Sequence, residues 1–494
     1  MKAPALRPAH VTALATLLAA APLAATVQAA TLREHVSLVA SDRFRFESVD
    51  WFRPPPASGA RHAAQRYDFM GNQLRFGLRA TVPNAQLLVE GQDTRLINLP
   101  DDASLAAPYG NLGPGAAYFA HTREREHGET ILRQAVLTVR SHGFNLALGR
   151  FEQADGLETL PGDPDLLWIK RARVAERLLG PFGYTHVGRA VDGVRLWMDQ
   201  PAWNATALGV RPTAGGFEVS GGEELDEIAL IGASVTAKRL LDPLPTDARA
   251  FWFRYEDERV EHALPVRVDN RPLATRAADR QAIRLDTCGA HGATVIDVGA
   301  GRLDGLLWGA WQRGDWGEQP HRAWSLALEA GWQWPRLPFA PWLRAGWNAA
   351  SGDDDPADVR HGTFVPLLPT PRIYALLPFY NGMNLEDRFV QLIARPTPLV
   401  TVRADVHLLR LESSADLWYS GGGAIRADLF GFAGAPAAGR RALARVIDGS
   451  VTYTPVRRLT FQAYYGQADG DDVIEGIFAG ADASYGFLET TLRW

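Results

Sequence analysis

The sequence predicts an all-β protein, a transmembrane antiparallel up-and-down β-barrel of about 18 strands. Three observations predict it. Apolar residues recur at every second position in many short runs, the period of a strand and not of a helix. Tryptophans stand near the ends of those runs, where rings that are part apolar and part polar settle at a membrane interface. No segment after residue 30 supplies the roughly 18 consecutive apolar residues of a membrane-crossing helix.

The chain of 494 residues begins with the pattern of an export signal. Lys2 and Arg7 give a positive start, Val11 to Ala25 an apolar centre, and Val27-Gln28-Ala29 a small-residue cleavage site. The expected organisation is therefore a signal peptide over 1–29 and one barrel over 30–494. Removing Lys2 and Arg7 takes the formal net charge from −5 to −7, which argues against nucleic acid as a partner. Cys288 is the single cysteine, so no intramolecular disulfide forms. A closed sheet needs none, because it pairs its backbone groups internally and leaves no open edge. The 47 Gly and 32 Pro supply turns between strands.

In chain order, Leu74–Thr81 and Ala85–Val89 form the first hairpin around Pro83-Asn84, and Asn98 to Gly128 is a long loop. Ile131–Arg140 and Phe144–Arg150 form the second pair. From Phe151 to Arg189 the alternation stops, with a short helix expected at Leu166–Leu179 between Gly162-Asp163-Pro164 and Gly180-Pro181. Alternation resumes at Asp192–Asp199, Ala202–Val210, Ile228–Lys238 and Arg249–Glu256, and continues through Gly292–Gly299 and Leu303–Gln312. The hairpin from Arg322 to Asn348 is the clearest unit: Trp324, Leu326, Leu328 and Trp332 take one face, and Glu329 and Arg344 fall on the other. Ala350 to Leu385 is a second long loop. Val400–Leu408 then sets Val400, Val402, Val406 and Leu408 against Thr401, Arg403, Asp405 and His407. The last strand, Tyr485–Trp494, ends on an aromatic residue, as expected where the final strand pairs with the first.

Several stretches resemble the alginate-export family of Gram-negative outer-membrane barrels. They are Leu148-Gly149-Arg150 with Asp155-Gly156, Val191-Asp192-Gly193-Val194-Arg195, Ala350-Ser351-Gly352-Asp353-Asp354-Asp355, Pro369-Thr370-Pro371-Arg372, Asp416-Leu417-Trp418-Tyr419 and Tyr464-Tyr465-Gly466. In that order they span nearly the whole mature chain. The resemblance implies a monomeric porin of the cell outer membrane, with an arginine-lined constriction through which an anionic uronate polymer leaves the periplasm. It also implies a periplasmic assembly that feeds the barrel, and it assigns Arg150 and Arg195 to the lining.

The residues themselves nominate a wider lining. Arg75, Arg79, Arg195, Arg254, Arg284, Arg344 and Arg403, with the acids Glu329 and Asp405, stand on the faces opposite the more apolar ones. An arginine at the lipid midplane costs about 2–4 kcal/mol, so these faces are expected to point into the lumen. There guanidinium groups attract anions and match carboxylates. The expected partners are thus an anionic saccharide or small anionic solute and the surrounding lipid, with no cofactor.

Asp353, Asp354 and Asp355 offer oxygen ligands for Ca²⁺, although such triplets are more often solvated loop tips and the spacing is not that of an EF-hand. His407 beside Asp405 has the form of a base and its orienter, yet no G-x-S-x-G serine accompanies it. Two other readings stay open: a barrel hydrolase of lipids or peptides, and a structural barrel plugged by Asn98–Gly128 and Phe151–Arg189.

Overall fold

The computed structural model describes residues 35–259, 266–371 and 376–494. The expected signal peptide, and Arg372 to Tyr374 of the second long loop, lie outside the described residues. Eighteen strands form one antiparallel sheet that closes on itself. They are β1 Val36–Asp50, β2 Arg66–Val82, β3 Ala85–Ile97, β4 His127–Ser141, β5 Phe144–Phe151, β6 Val191–Asp199, β7 Trp203–Pro212, β8 Ile228–Ala237, β9 Thr246–Asp257, β10 Ile283–Val298, β11 Gly301–Trp316, β12 Gln319–Gln333, β13 Trp342–Ala350, β14 Leu385–Thr397, β15 Val400–Arg410, β18 Ala442–Val456, β19 Leu459–Gly470 and β20 Asp482–Arg493. A separate two-stranded ribbon, β16 Leu417–Gly421 and β17 Phe432–Pro436, rises within one loop. Closure is made by β1 against β20, from Ser41↔Arg493 to Asp50↔Ser484.

Each barrel strand after β1 pairs with the barrel strand before it, β18 with β15, through a connection at one of the two ends. At one end the connections are mostly short, as at residues 83–84, 142–143, 398–399 and 457–458. The 334–341 connection is longer than the tight turn expected there, because the partner strand begins at Trp342 and not at Phe339. At the other end lie long segments, including 98–126, 152–190, 351–384 and 411–441. Among the described residues no helix is long and apolar enough to cross a membrane, so the strands make the wall.

The wall has the expected outward belt. Leu328, Leu343, Leu392, Leu408, Ile447 and Leu488 are all exposed. One row running across β9 to β12 is Trp252, Cys288, Trp311 and Trp324, each directly opposite the next. Trp311 is 70% exposed, as a ring at a lipid–water boundary is.

The interior departs from a simple polar lumen. Phe251, Phe253, Tyr255, Ile283, Leu285 and Trp308 point inward and pack with Val365, Leu367 and Leu368 of the 351–384 loop. The long loops fold into the barrel, and the strands that receive them bear apolar residues on the inner face.

Candidate functional site

Loop 152–190 positions most of the candidate site. It starts helical because Pro164 can open a helix and Asp163 caps it, accepting from the backbone N–H groups of Asp165 and Leu166. The helix Pro164–Ile169 passes into one π turn over Lys170–Val174 and ends well before Leu179, shorter than the sequence suggests. Its acidic start is pinned to the turn end of the barrel, where Asp163 meets Arg302 at 2.5 Å and Asp165 pairs with the same guanidinium.

The π turn then delivers Arg173 to the centre. Its Nε donates to Glu329 at 2.9 Å, and Arg177 reaches Glu329 at 3.4 Å and Asn348 at 3.2 Å. From β13, Arg344 donates to Glu329 at 3.1 Å and to Asp304 at 3.0 Å. Three guanidiniums from loop and wall thus converge on one carboxylate, an arrangement that fixes the loop inside the lumen.

The same loop is held on the opposite wall. Arg45 of β1 pairs with Glu489 and lies 3.7 Å from Glu47, and Glu47 contacts His186 Nε2 at 2.8 Å. The His186 carbonyl accepts from Gln73, Gln92 and Thr94. Glu152 bridges Arg75, at 3.0 Å, and Arg133. Asp155, buried in the loop, pairs with Arg249 at 2.6 Å, yet burial still pushes its carboxyl up to about 6. Arg189 donates to the carbonyls of Gly180, Pro369, Gly422 and Ala424, tying three loops together.

The wall turns Arg75, Arg79, Arg195, Arg344, Arg403, Glu329 and Asp405 inward. Arg195 lies over the Phe151 and Trp197 rings and donates to Gln153 at 3.1 Å. Arg403 pairs with Asp405. Arg344 is fully buried, sharing its acid with the two loop arginines.

Three expected lining residues are corrected. Arg150 shares the outer face with Phe144 and Leu148, which are 58% and 50% exposed, and it pairs there with Asp192 at 2.8 Å. Arg254 and Arg284 also face outward, toward the loop end. Arg254 lies 3.0 Å from Asp286, and Arg284 lies 3.7 Å from Glu258. The cost argument that placed them inside holds at the lipid midplane. Arg254 stands beyond Trp252 of the boundary row, where the wall leaves the apolar belt, and outward charge is cheap.

The aspartate triplet does not converge. Asp353 is buried and accepts from the N–H groups of Asp355 and Gly362, while Asp354 and Asp355 are exposed. His407 pairs with Asp387 at 3.0 Å, not with Asp405 as an orienter. Arg173, Arg177 and Arg189 escaped the sequence reading because an irregular loop has no period from which to infer a face.

A closed barrel of 18 antiparallel strands, apolar outside, with an inward loop meeting charged residues of the wall, defines a porin-type protein of the outer membrane. The chain belongs to the alginate export family, whose sequence profile matches residues 35–475. No curated protein sequence matches it. Among solved structures it is similar to OccK9 (OpdG) of Pseudomonas aeruginosa, at 12% identity and a TM-score of 0.56, covering 94% of this chain and 100% of that one. It is likewise similar to Acinetobacter baumannii OccAB2, at 9% identity and a TM-score of 0.55, covering 93% and 98%. P. aeruginosa OccK2 (OpdF), solved in complex with glucuronate, gives 9% identity and a TM-score of 0.54 over 93% and 98%. At these identities the likeness is one of fold.

Proposed function

We propose that the barrel is a passive outer-membrane channel for anionic solutes, with acidic saccharides as the favoured class. One observation carries the reading. Arg79, Arg140 and Arg195 stand on the inner faces of β2, β4 and β6, and among the described residues none forms an ion pair. Unpaired guanidiniums on an inner wall attract anions and offer planar donors to a uronate carboxylate. Membership of the alginate export family and the glucuronate held by OccK2 (OpdF) support the same class.

The rival reading, a barrel hydrolase, draws on His407. Among the described residues its ring is hydrogen-bonded to Asp387 and to no hydroxyl, which supports the conduit over a nucleophile–base pair.

A barrel closed by its own loops is favoured by the Arg189 contacts that bind three loops together. Single-channel recording of the refolded protein in planar bilayers separates these readings, with the reversal potential taken in a salt gradient and glucuronate oligomers then added to one side. Anion preference with block by the oligomers is the expected result. Cation preference overturns the proposal. Silence that ends only when residues 152–190 are deleted establishes the closed barrel instead.

A further inference from the structure

The inner wall of β14, β15, β18 and β19 carries a group of side chains that the proposed conduit does not use. Asp405 and His407 lie two residues apart on β15, and Asp448 of β18 stands directly opposite Asp405. One ligand atom from each of the three lies within 4.8 Å of the others. All are buried: Asp405 and His407 are 1% exposed and Asp448 is 5% exposed.

Two of the atoms are orphaned. Among the described residues, His407 Nε2 and Asp405 Oδ1 are shielded from solvent and have no hydrogen-bond partner, with Gln391 standing across the ladder from Asp405. The other atoms of the group are held from outside. Asp387 of β14 takes His407 Nδ1 at 3.0 Å, and Arg403 holds Asp405 Oδ2. Tyr464 of β19 donates to Asp448 Oδ2 at 3.0 Å. Gly466 leaves room for that hydroxyl, since a Cβ there would stand 2.3 Å from it.

With Nδ1 at 3.0 Å from Asp387, Nε2 is the ring atom left to face Asp405 and Asp448. Like charges directly opposite across a ladder are in conflict. A divalent cation resolves it. Two carboxylates and one imidazole, with the second ring nitrogen held by another carboxylate, form a metal-ligand set together with its outer support.

We propose that Asp405, His407 and Asp448 bind a divalent transition-metal ion of the Zn²⁺ class, with Asp387 as a positioning residue for His407. The mixed oxygen and nitrogen donors suit Zn²⁺, Fe²⁺ or Mn²⁺. Metal–ligand bonds of about 2.1 Å bring the three atoms closer together by small side-chain movements.

The test uses full-length refolded protein without a polyhistidine tag, stripped with chelator and dialysed against Zn²⁺, with bound metal counted by mass spectrometry. One tightly bound equivalent is expected, lost in His407→Gln and in Asp448→Asn. Asp387→Asn is expected to weaken binding about 10–100-fold while the ion still binds, a graded effect that a purely structural aspartate does not produce. Co²⁺ added to the stripped wild-type protein provides a readout that needs no variant, through a visible d–d absorption band displaced by Zn²⁺. The proposal is overturned if wild-type protein binds no equivalent and shows no band, or if His407→Gln binds Zn²⁺ as tightly as wild type.

Discussion

Arg344 Nη1 donates to Glu329 Oε2 at 3.1 Å, and solvent reaches neither side chain. Arg173 and Arg177 from the inward loop share that carboxylate. Glu329 keeps those two counter-charges when Arg344 is removed, but the buried Asp304, which Arg344 holds at 3.0 Å, is left without its guanidinium, and an uncompensated buried charge costs about 3–5 kcal/mol. Arg344→Ala is therefore expected to lower barrel stability by about that much, read by urea unfolding in micelles. Adding Asp304→Asn to the same chain restores a measurable part of the loss, because the acid that Arg344 compensates is then neutral. Strictly additive effects of the two changes mean that the pair is not coupled as its geometry requires.

Gly71 makes room for the inward loop. A Cβ built there would stand 2.3–2.4 Å from three atoms of the His186 ring, which is itself tied to Glu47. The ring cannot yield without giving up that contact. Gly71→Ala is expected to cost about 1–3 kcal/mol by overpacking. The cost vanishes when His186→Ala is added, because the clash is then gone, and thermal denaturation of the single and double variants measures both.

Many of the strands, their alternation and the closure of the barrel are legible because a period of two repeats over many residues, but no run is assigned to β1, β14, β18 or β19. The hairpin through Glu329 and Arg344 was read with the correct faces. Arg254 and Arg284 were misplaced for a physical reason. The sequence shows which residues share a face, but not how far along a strand the lipid ends or which inner faces receive a folded loop. On β9 the loops bury Phe251, Phe253 and Tyr255 inside, so the charged set turns outward. Arg173, Arg177, Arg189 and His186 sit in a loop whose path is set by its contacts with the wall. Such long-range partners leave no local trace.

His186 makes that loop sensitive to acid. Burial, reinforced by Arg45 and Arg43 and opposed by Glu47, lowers its imidazole from the usual range to about 4. The neutral ring is therefore favoured while the loop is docked. When the loop is released the ring titrates near its ordinary value, about 6.5. Docking is fully stabilised above that value and weakens as pH falls toward 4. Hydrogen exchange of residues 180–190 is expected to quicken between pH 6.5 and 4.5 after correction for intrinsic rates, and His186→Gln flattens that response. The same pH response in the variant assigns the effect to another group.

The corrected arginines give the sharpest test of the lumen. Arg79 and Arg195 face inward without an ion pair among the described residues, whereas Arg254 and Arg284 face outward and pair with Asp286 and Glu258. Charge acts on permeant ions mainly within a Debye length, about 8 Å at physiological salt. Charge on the outer face is further removed from the permeation path by the wall. Arg79→Gln with Arg195→Gln is expected to lower the anion-over-cation permeability ratio several-fold, moving the reversal potential toward zero. Arg254→Gln with Arg284→Gln is expected to leave it unchanged. If the outer pair shifts the potential as much as the inner pair, selectivity does not arise at the lumen wall.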